Sequence, residues 1–256
     1  MQDGATSFDE QTPAKLATLA EWMRGASTIV WFTGAGISTE SGVPDYRGPN
    51  GVWTRRDKGL PPPEPSKPLS EIEPNAAHRA IVEFEKRGKC AYLISQNIDN
   101  LHLESGYPWE KLAELHGNKK RLRCGNCEET FAVVKNGTTS AETANRNVED
   151  ASDDCPLCGG PLGDGVIHFG DAMPRRAIED SFEWAKITDL LIVVGSTCLV
   201  TPAADVPVIA KTHGARLVVM NIGETGVDEL CDLRFSREKA GELLAALFAK
   251  FESIRD

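Results

Sequence analysis

The sequence predicts an open α/β layer structure, a parallel sheet with helices on both faces, interrupted by a small insert. Three observations carry this. Apolar runs without polar alternation, as at 190–194 and 217–220, mark strands buried on both faces. Stretches with helical spacing separate them, the order expected of a parallel sheet with crossover helices. Between 124 and 158 the pattern breaks into a polar segment that carries four cysteines.

Taken in order, Pro13 suits a first helical turn, and Leu16, Leu19, Ala20 and Met23 recur at helical spacing. Residues 27–33 read as a buried strand running directly into Gly34-Ala35-Gly36. From 44 to 74 prolines and glycines dominate without a period, predicting a long ordered loop, a feature that inside compact domains is usually functional. A helix over 75–87 with Asn75 as N-cap, a strand at 90–95 and a short strand at 111–115 follow. A basic run at 119–123 reads as the solvated edge of the insert, and 136–154 has almost nothing to bury. Helices near 202–213 and 238–251 complete the alternation. The expected division is 1–118 and 165–256 for the layered domain, with 119–164 as the small module.

Composition narrows the function classes. The chain has 256 residues, 41% hydrophobic and 26% charged, and no apolar run approaches the ~18 residues of a membrane span. Its net charge of −10 argues against nucleic acid as the main ligand, because phosphate contacts need clustered Lys and Arg. The first residues lack the pattern of a signal peptide, so a reducing, cytoplasmic setting is expected. Seven cysteines, an odd number, exclude a closed disulfide framework. Cys124-x2-Cys127 and Cys155-x2-Cys158 form two knuckles separated by 27 residues, the signature of a closed tetrahedral Zn site. Four thiolates leave no open coordination position, so the metal is expected to be structural. Cys90, Cys198 and Cys231 lie in apolar contexts and read as small core residues.

The glycine loop at 34–36 places backbone where it could approach a pyrophosphate. As a dehydrogenase fingerprint it fails. Thr39 stands where a third glycine belongs, and the acidic residue about 20 positions on is Asp57, inside the proline-rich loop. A tight turn without a ligand is the competing reading until the neighbouring motifs are counted.

Those neighbours run Gly34-Ala-Gly-Ile-Ser-Thr-Glu-Ser-Gly-Val-Pro-Asp-Tyr-Arg-Gly48, then Gln96-Asn97-Ile98-Asp99-Asn100-Leu101-His102, then His116-Gly117. From about residue 14 to 250 the chain resembles the sirtuin family of NAD-dependent protein-lysine deacylases. The short segment Arg47–Trp53 is similar to the divergent branch that includes chromatin-directed members. The resemblance implies a Rossmann-like sheet with a zinc-ribbon module, and transfer of an acyl group from protein lysine to ADP-ribose with release of nicotinamide. Acidic acyl groups are disfavoured, because no Tyr-x-x-Arg pair matches the branch that takes them; acetyl and longer fatty acyl groups stay open. Mono-ADP-ribosyl transfer or NAD hydrolysis in the same pocket is the alternative activity, and a zinc-ribbon protein that only senses NAD is a third reading.

The resemblance also implies roles. Gly34, Ala35, Gly36, Ser38, Asp45, Tyr46, Arg47 and Trp53 would line the NAD site, with Tyr46 over the nicotinamide ribose and Arg47 near the phosphates. Gln96 and Asn97 would contact ribose, Asn97 also a water, and Asp99 would hold the nicotinamide carboxamide; a polar turn is the bland reading of that string. His116 would be the general base, a role that an imidazole titrating near pH ~6.5 suits. His78, His102 and His213 keep the reading of satisfied core or surface residues. Val166, Ile167, His168, Phe169 and Gly170 would pair with an extended substrate peptide, Val166 and Phe169 flanking the lysine stem. Gly195, Ser196 and Thr197 would meet the phosphates or adenosine ribose, Asn221, Ile222 and Gly223 the adenosine side, and Ala240 the adenine. Cys124, Cys127, Cys155 and Cys158 would bind the zinc. Expected partners are acylated lysines in proteins, with no membrane or direct nucleic-acid binding and a monomer or weak oligomer. Two departures stand out: Tyr46 replaces the family's usual Phe, and Asn100 its usual Gly.

Overall fold

The computed structural model describes residues 8–68, 71–134, 147–149 and 153–254. Helix α1, Thr12–Gly25, has Pro13 in its first turn and buries Leu16, Leu19, Ala20 and Met23. Strand β1, Ile29–Thr33, is buried at every residue and runs into Gly34, after which Ala35–Ser41 forms a 3₁₀ helix. The loop predicted over 44–74 contains a helix, α2, Val52–Asp57. It escapes sequence reading because none of its residues is buried, so there is no apolar stripe to betray a period.

Helix α3, Ala76–Lys86, begins as predicted at Asn75, whose side chain accepts from the Ala77 and His78 amides. Strand β2, Tyr92–Ser95, leads through α4, Leu101–Glu104, to β3, Leu112–Glu114. The insert contributes β4, Gly117–Cys124, β5, Thr130–Val134, β6, Asn147–Glu149, and β7, Leu162–Val166. The reading of 136–154 as a polar segment falls largely outside the described residues. Next come α5, Arg175–Ile187, β8, Leu190–Val194, α6, Asp205–Thr212, β9, Arg216–Met220, β10, Leu233–Phe235, and α7, Ala240–Ser253. Helix α5 was not anticipated, although Ile178, Phe182 and Ala185 pack on the core at helical spacing; strand β10 was missed because three residues carry no period.

Six strands form one parallel sheet in the order β10-β9-β8-β1-β2-β3. The chain steps outward from β1 to β3, returns to lay β8 beside β1, and steps outward the other way. The order therefore reverses between β1 and β8, where open α/β sheets bind ligands at the strand carboxyl ends. Successive residues of β1 face opposite layers. Ile29 and Trp31 join α1, α3 and α7 on one side, while Val30 and Phe32 join α5 and α6 on the other. Both layers are apolar, which is why the run does not alternate. Trp31 stacks on Phe84 at 5.3 Å and satisfies its indole N–H on the Lys89 carbonyl at 3.0 Å.

The second sheet, β6-β5-β4-β7, is smaller. Its buried core is Cys124, Phe131 and Cys155, with Leu122 and Leu162 packed against it. The basic run at 119–123 is part of β4, an inner strand of this sheet; Lys119 and Lys120 are exposed as expected of a solvated face, while the arginines are partnered within the molecule. Arg121 is buried with its guanidinium on Thr130, Lys120 meets Glu104, and Arg123 meets Glu128 at 2.8 Å.

At the switch point the ends of β1 and β8 interlock through glycine. Gly34 N–H donates to Val194 O at 3.0 Å, Gly36 N–H to Gly195 O at 2.8 Å, and Gly195 N–H to Met220 O at 2.8 Å. A Cβ on Gly36 would lie 2.7 Å from the Gly195 Cα, and one on Gly195 would lie 2.3 Å from the Ile37 nitrogen. The substitution Gly36→Ala should therefore destabilise the chain by about 1–3 kcal/mol in denaturant unfolding, the range for forcing extra atoms into packed structure. Gly25→Ala, with nothing within 4 Å of its added carbon, serves as the neutral control.

Candidate active site

The cleft above this interlock is built from the carboxyl ends of β1, β2 and β8. Thr33 O, the last carbonyl of β1, accepts from both the backbone and the side chain of Gln96, at 2.9 and 3.2 Å. The same Gln96 amide donates to Ser196 Oγ at 2.8 Å, so one side chain ties together the ends of β1, β2 and β8. The Ser196 hydroxyl also accepts from Cys198 N–H at 3.1 Å.

Ser38 lies fully buried below. Its hydroxyl donates to Asp99 Oδ2 at 2.6 Å and accepts from Asn97 Nδ2 at 3.2 Å. The other Asp99 oxygen accepts from Leu101 N–H at 3.0 Å. A short charged side chain is thus held in one orientation on the cleft floor. Asn100 adopts a left-handed backbone, φ 72°, which explains its presence where glycine is usual: after Gly, Asn enters this region most readily.

His116 sits on the turn between β3 and β4. Its Nδ1–H donates to Gln96 O at 2.8 Å, which leaves Nε2 unprotonated and available as a base. Burial lowers its pKa below 6.5, outweighing the opposing bond to Gln96. His78 and His102 are buried beneath Ser38 and Thr33, in ring contact at 4.9 Å. Burial pushes His102 down to about 4 and His78 well below its ordinary value. The expectation that His102 is satisfied holds for one nitrogen: Nε2 meets Thr33 Oγ1 at 2.9 Å, while Nδ1 has no partner among the described residues. His213 is exposed and bonds Ile209 O at the end of α6.

Over the cleft, three aromatic rings join the 45–53 segment to the segment after β7. Tyr46 and Trp53 lie 6.0 Å apart, and Phe169, 75% exposed, meets Trp53 edge-on at 5.3 Å. Arg56 covers the Trp53 ring at 4.2 Å. Asp45 is occupied in holding this segment's turn, accepting from Gly48 N–H at 2.9 Å, whereas Arg47 is exposed. Ile167 N–H donates to His116 O at 2.9 Å, which brings Val166 and Ile167 alongside the imidazole. A small turn through Gly170 is closed by His168 N–H donating to Asp171 Oδ2 and Asp171 N–H donating to His168 O, both at 3.0 Å.

At the far end, Gly226 N–H donates to Thr197 O at 2.8 Å, joining the loop after β8 to the loop after β9. Asn221 N–H donates to Phe235 O at 3.0 Å, and Ile222 is exposed. Ala240 opens α7, and the next amide, Gly241 N–H, donates to Glu40 Oε2 at 2.6 Å. Glu40 and Arg234 are the residues that sequence reading passed over, and His78, read only as a satisfied core or surface residue, has a further part in the cap of α3. For His78 a signal existed, since it occupies the third helical position after Asn75 and completes a capping box. Glu40 gave none, because its partner is 201 residues away.

The four cysteine sulfurs lie within 4.8 Å of one another, with Cys124 to Cys158 at 3.5 Å and Cys127 to Cys155 at 3.7 Å. Four sulfurs at ~2.3 Å from a tetrahedral zinc are about 3.8 Å apart, so the donor set fits Zn2+ in number, chemistry and spacing. The cleft likewise fits a dinucleotide with a carboxamide. A buried acceptor, Asp99, is tied through the Ser38 hydroxyl to the turn that begins at Gly34, and Arg47 supplies an exposed guanidinium in the segment after that turn.

Comparison with known proteins agrees. The Sir2 family model matches residues 34–65 and 62–202. An NAD-dependent protein deacylase of Thermococcus kodakarensis is 36% identical over 255 residues, covering 93% of this chain and 96% of that protein. NAD-dependent protein deacetylase 1 of Bradyrhizobium diazoefficiens is 36% identical over 88% of this chain and 92% of its own length. The rice deacetylase SRT1 is 38% identical over 86% of this chain, but the match spans only 44% of that longer protein. Among solved structures, Sir2Tm bound to a propionylated peptide superposes with a TM-score of 0.67 at 28% identity over 92% of this chain and 98% of its own. A Sir2–p53 peptide–NAD+ complex does so with 0.67 at 29% over 91% and 97%. No described helix is long and apolar enough to cross a membrane.

Chelation should remove one zinc per chain, measured by metal analysis, and unfold the β4–β7 sheet; an unchanged melt after metal loss would count against the site. Acid should also weaken the fold. The unfolded imidazoles take protons near pH ~6.5 while His78, His102 and His116 resist them, so their contributions shrink as pH falls from that value toward about 4, where folded His102 titrates. Glu114 acts oppositely, since burial raises it to about 7 and its folded carboxyl binds a proton first. Three groups outweigh one, so thermal stability should drop between pH 6.5 and 4.5, and more steeply in Glu114→Gln.

Proposed function

The chain belongs to the sirtuin, or Sir2, family, and from that membership we propose that its cleft removes acyl groups from protein lysine in an NAD-dependent reaction, with zinc as the structural metal. When bound, NAD supplies an electrophilic ribose carbon whose leaving group is nicotinamide, so the acyl group ends on ADP-ribose. The observation that carries the assignment is the pairing of two anchored groups in one cleft: Asp99 fixed through Ser38, and His116 fixed through Gln96 O with Nε2 free.

Asp99 accepts the carboxamide N–H and so sets the orientation of the nicotinamide ring. Ser38 and Asn97 keep its carboxylate in one rotamer, which makes that orientation pre-formed. His116 takes a proton at Nε2 from a ribose hydroxyl, and its depressed pKa keeps the base form populated at neutral pH. Tyr46, Trp53 and Phe169 roof the reacting centre and exclude water. Arg47 meets phosphate oxygens; Gly34, Ala35 and Gly36 give them backbone to approach. Gly195–Thr197, Asn221–Gly223 and Ala240 accept the adenosine half. Val166–Gly170 offers a strand edge to the acyl-lysine peptide, with little demand on its sequence.

The Tyr46 hydroxyl keeps NAD hydrolysis and ADP-ribosyl transfer as the second reading. It stands in a roof that is phenyl in most of the family, and burial together with the charge of Asp99 holds it protonated. We further infer a two-part organisation, with 119–164 as a zinc module inserted into the cofactor domain, acting in the cytoplasm as a monomer or weak oligomer without direct nucleic-acid contacts.

Incubated with NAD and an acetyl-lysine peptide, the protein should yield O-acetyl-ADP-ribose and free lysine by mass spectrometry. Acyl chains up to fatty length should be tested in parallel. His116→Ala should lower kcat/KM by about 10²–10⁴ while the melting temperature stays near wild type. The acid limb of the wild-type pH profile should lie below the ordinary imidazole value of ~6.5. NAD consumption that ignores the peptide would favour the hydrolase, and persistent protein-bound label would favour transfer.

A further inference from the structure

We propose that Arg234 is a positioning residue for the adenosine end of the cleft, acting through the backbone of Asn221–Gly223. The inference rests on the NAD-binding reading of the cleft and extends it to a residue outside every motif considered above.

Arg234 lies on β10, the edge strand, with its side chain 20% exposed beneath the loop that joins β9 to β10. Its guanidinium distributes its donors over that loop. Nε donates to Asp228 Oδ1 at 2.8 Å, Nη1 to Asn221 O at 2.7 Å and to Phe235 O, and Nη2 to Gly223 O. The carbonyls on either side of Ile222 are therefore held by one rigid group. Its counter-ion holds the next stretch, because Asp228 accepts from Thr225 N–H at 3.0 Å and from the Thr225 hydroxyl at 2.5 Å. The following residue, Gly226, donates to Thr197 O at 2.8 Å. The two loops assigned to the adenosine half are thus linked through Arg234 and Asp228.

Two physical points fix the role. First, a guanidinium is a planar fork with five donors, and an ammonium cannot span these acceptors at fixed angles. Second, the charge is already matched by Asp228, whose carboxyl stays below its ordinary value through Thr225 and Arg234 despite burial. The contribution is therefore geometric: Arg234 fixes where the Asn221–Gly223 backbone stands, and a charge-preserving substitution does not replace it. Apart from Arg234, the first half of the loop is held by Asn221, whose N–H donates to Phe235 O at 3.0 Å and whose side-chain amide donates to Ile222 O at 3.0 Å, while the 3₁₀ turn Asp228–Leu230 shapes the second half.

The test compares wild type, Arg234→Lys, Arg234→Met, Asp228→Asn and Asn221→Ala by calorimetric titration with ADP-ribose and by steady-state kinetics. Arg234→Lys and Arg234→Met should weaken ADP-ribose binding and raise the KM for NAD at least fivefold. The kcat and the KM for the acetyl-lysine peptide should stay within twofold. Adding Arg234→Lys to Asn221→Ala should weaken ADP-ribose binding by less than a further twofold, because both act on one backbone segment. If Arg234→Met does not fold, Asp228→Asn decides, with an expected two- to fivefold loss. Unchanged ADP-ribose affinity in Arg234→Lys, or a parallel fall in kcat and peptide KM, overturns the inference. Wild type that binds ADP-ribose but does not deacylate leaves the inference standing and overturns the activity; wild type that binds none overturns both.

Discussion

The close approach of the Gly34–Gly36 turn to Gly195 is the contact on which the rest of the cleft depends. Backbone meets backbone there with no room for a side chain, and Gly36 N–H reaches Gly195 O at 2.8 Å. Because the strand order reverses at this point, the chains leaving the two strand ends part to opposite sides and open the crevice, which this contact closes at its base. With the ends pinned, Thr33 O and Ser196 Oγ stand at a fixed separation that one Gln96 side chain can bridge. Gln96 O in turn orients His116. The position of His116, the proposed base, is thus inherited, through two hydrogen-bonded steps, from a contact between glycines.

Below that level the floor of the cleft is kept uncharged apart from Asp99. His78 and His102 are buried, and both resist protonation, so neither neutralises the carboxylate above them at neutral pH. Glu114, two residues before His116, is raised to about 7 by the same burial, and its bond from Asn118 at 2.6 Å only partly offsets this. A low-dielectric floor strengthens the hydrogen bonds that Asp99 makes to Ser38 and Leu101. The net charge of −10 says nothing of this arrangement. Under the proposed assignment, exposed Arg47 and backbone amides would reverse the field locally and let an acidic protein take an anionic dinucleotide.

Most of the layered fold was legible because its signals are local. Strand β1, strand β8 and the Asn75 cap are each written in fewer than ten consecutive residues, and the two knuckles announce a metal by spacing alone. What stayed hidden depends on distance or on exposure. Helix α2 buries nothing, so its helical period leaves no trace in hydrophobicity. Glu40 matters because of Gly241, and Arg234 because of carbonyls on a neighbouring loop, neither of which a sequence window contains. The motif residues Ser38, Asn97 and Asp99 could be named from their string, yet the reason they act together, one buried hydroxyl between an amide and a carboxylate, appears only when β1 and β2 are paired.

The metal enters the catalytic argument by the same route. Strand β4 begins at Gly117, immediately after His116, and runs to Cys124, the first sulfur of the cluster. Strand β7 follows the second knuckle and pairs antiparallel with β4 from Cys124 opposite Leu162 to Gly117 opposite Val166, with a register shift between Gly117 and Leu122, after which Ile167 N–H donates to His116 O. The imidazole is therefore flanked by two strands whose far ends the cysteines join. Among the described residues the small sheet's buried apolar cluster is Cys124, Phe131 and Cys155, too little area to hold those strands in register by itself. A zinc held by these cysteines would consequently bear on the proposed base: it would fix the sheet, the sheet the turn, and the turn carries His116.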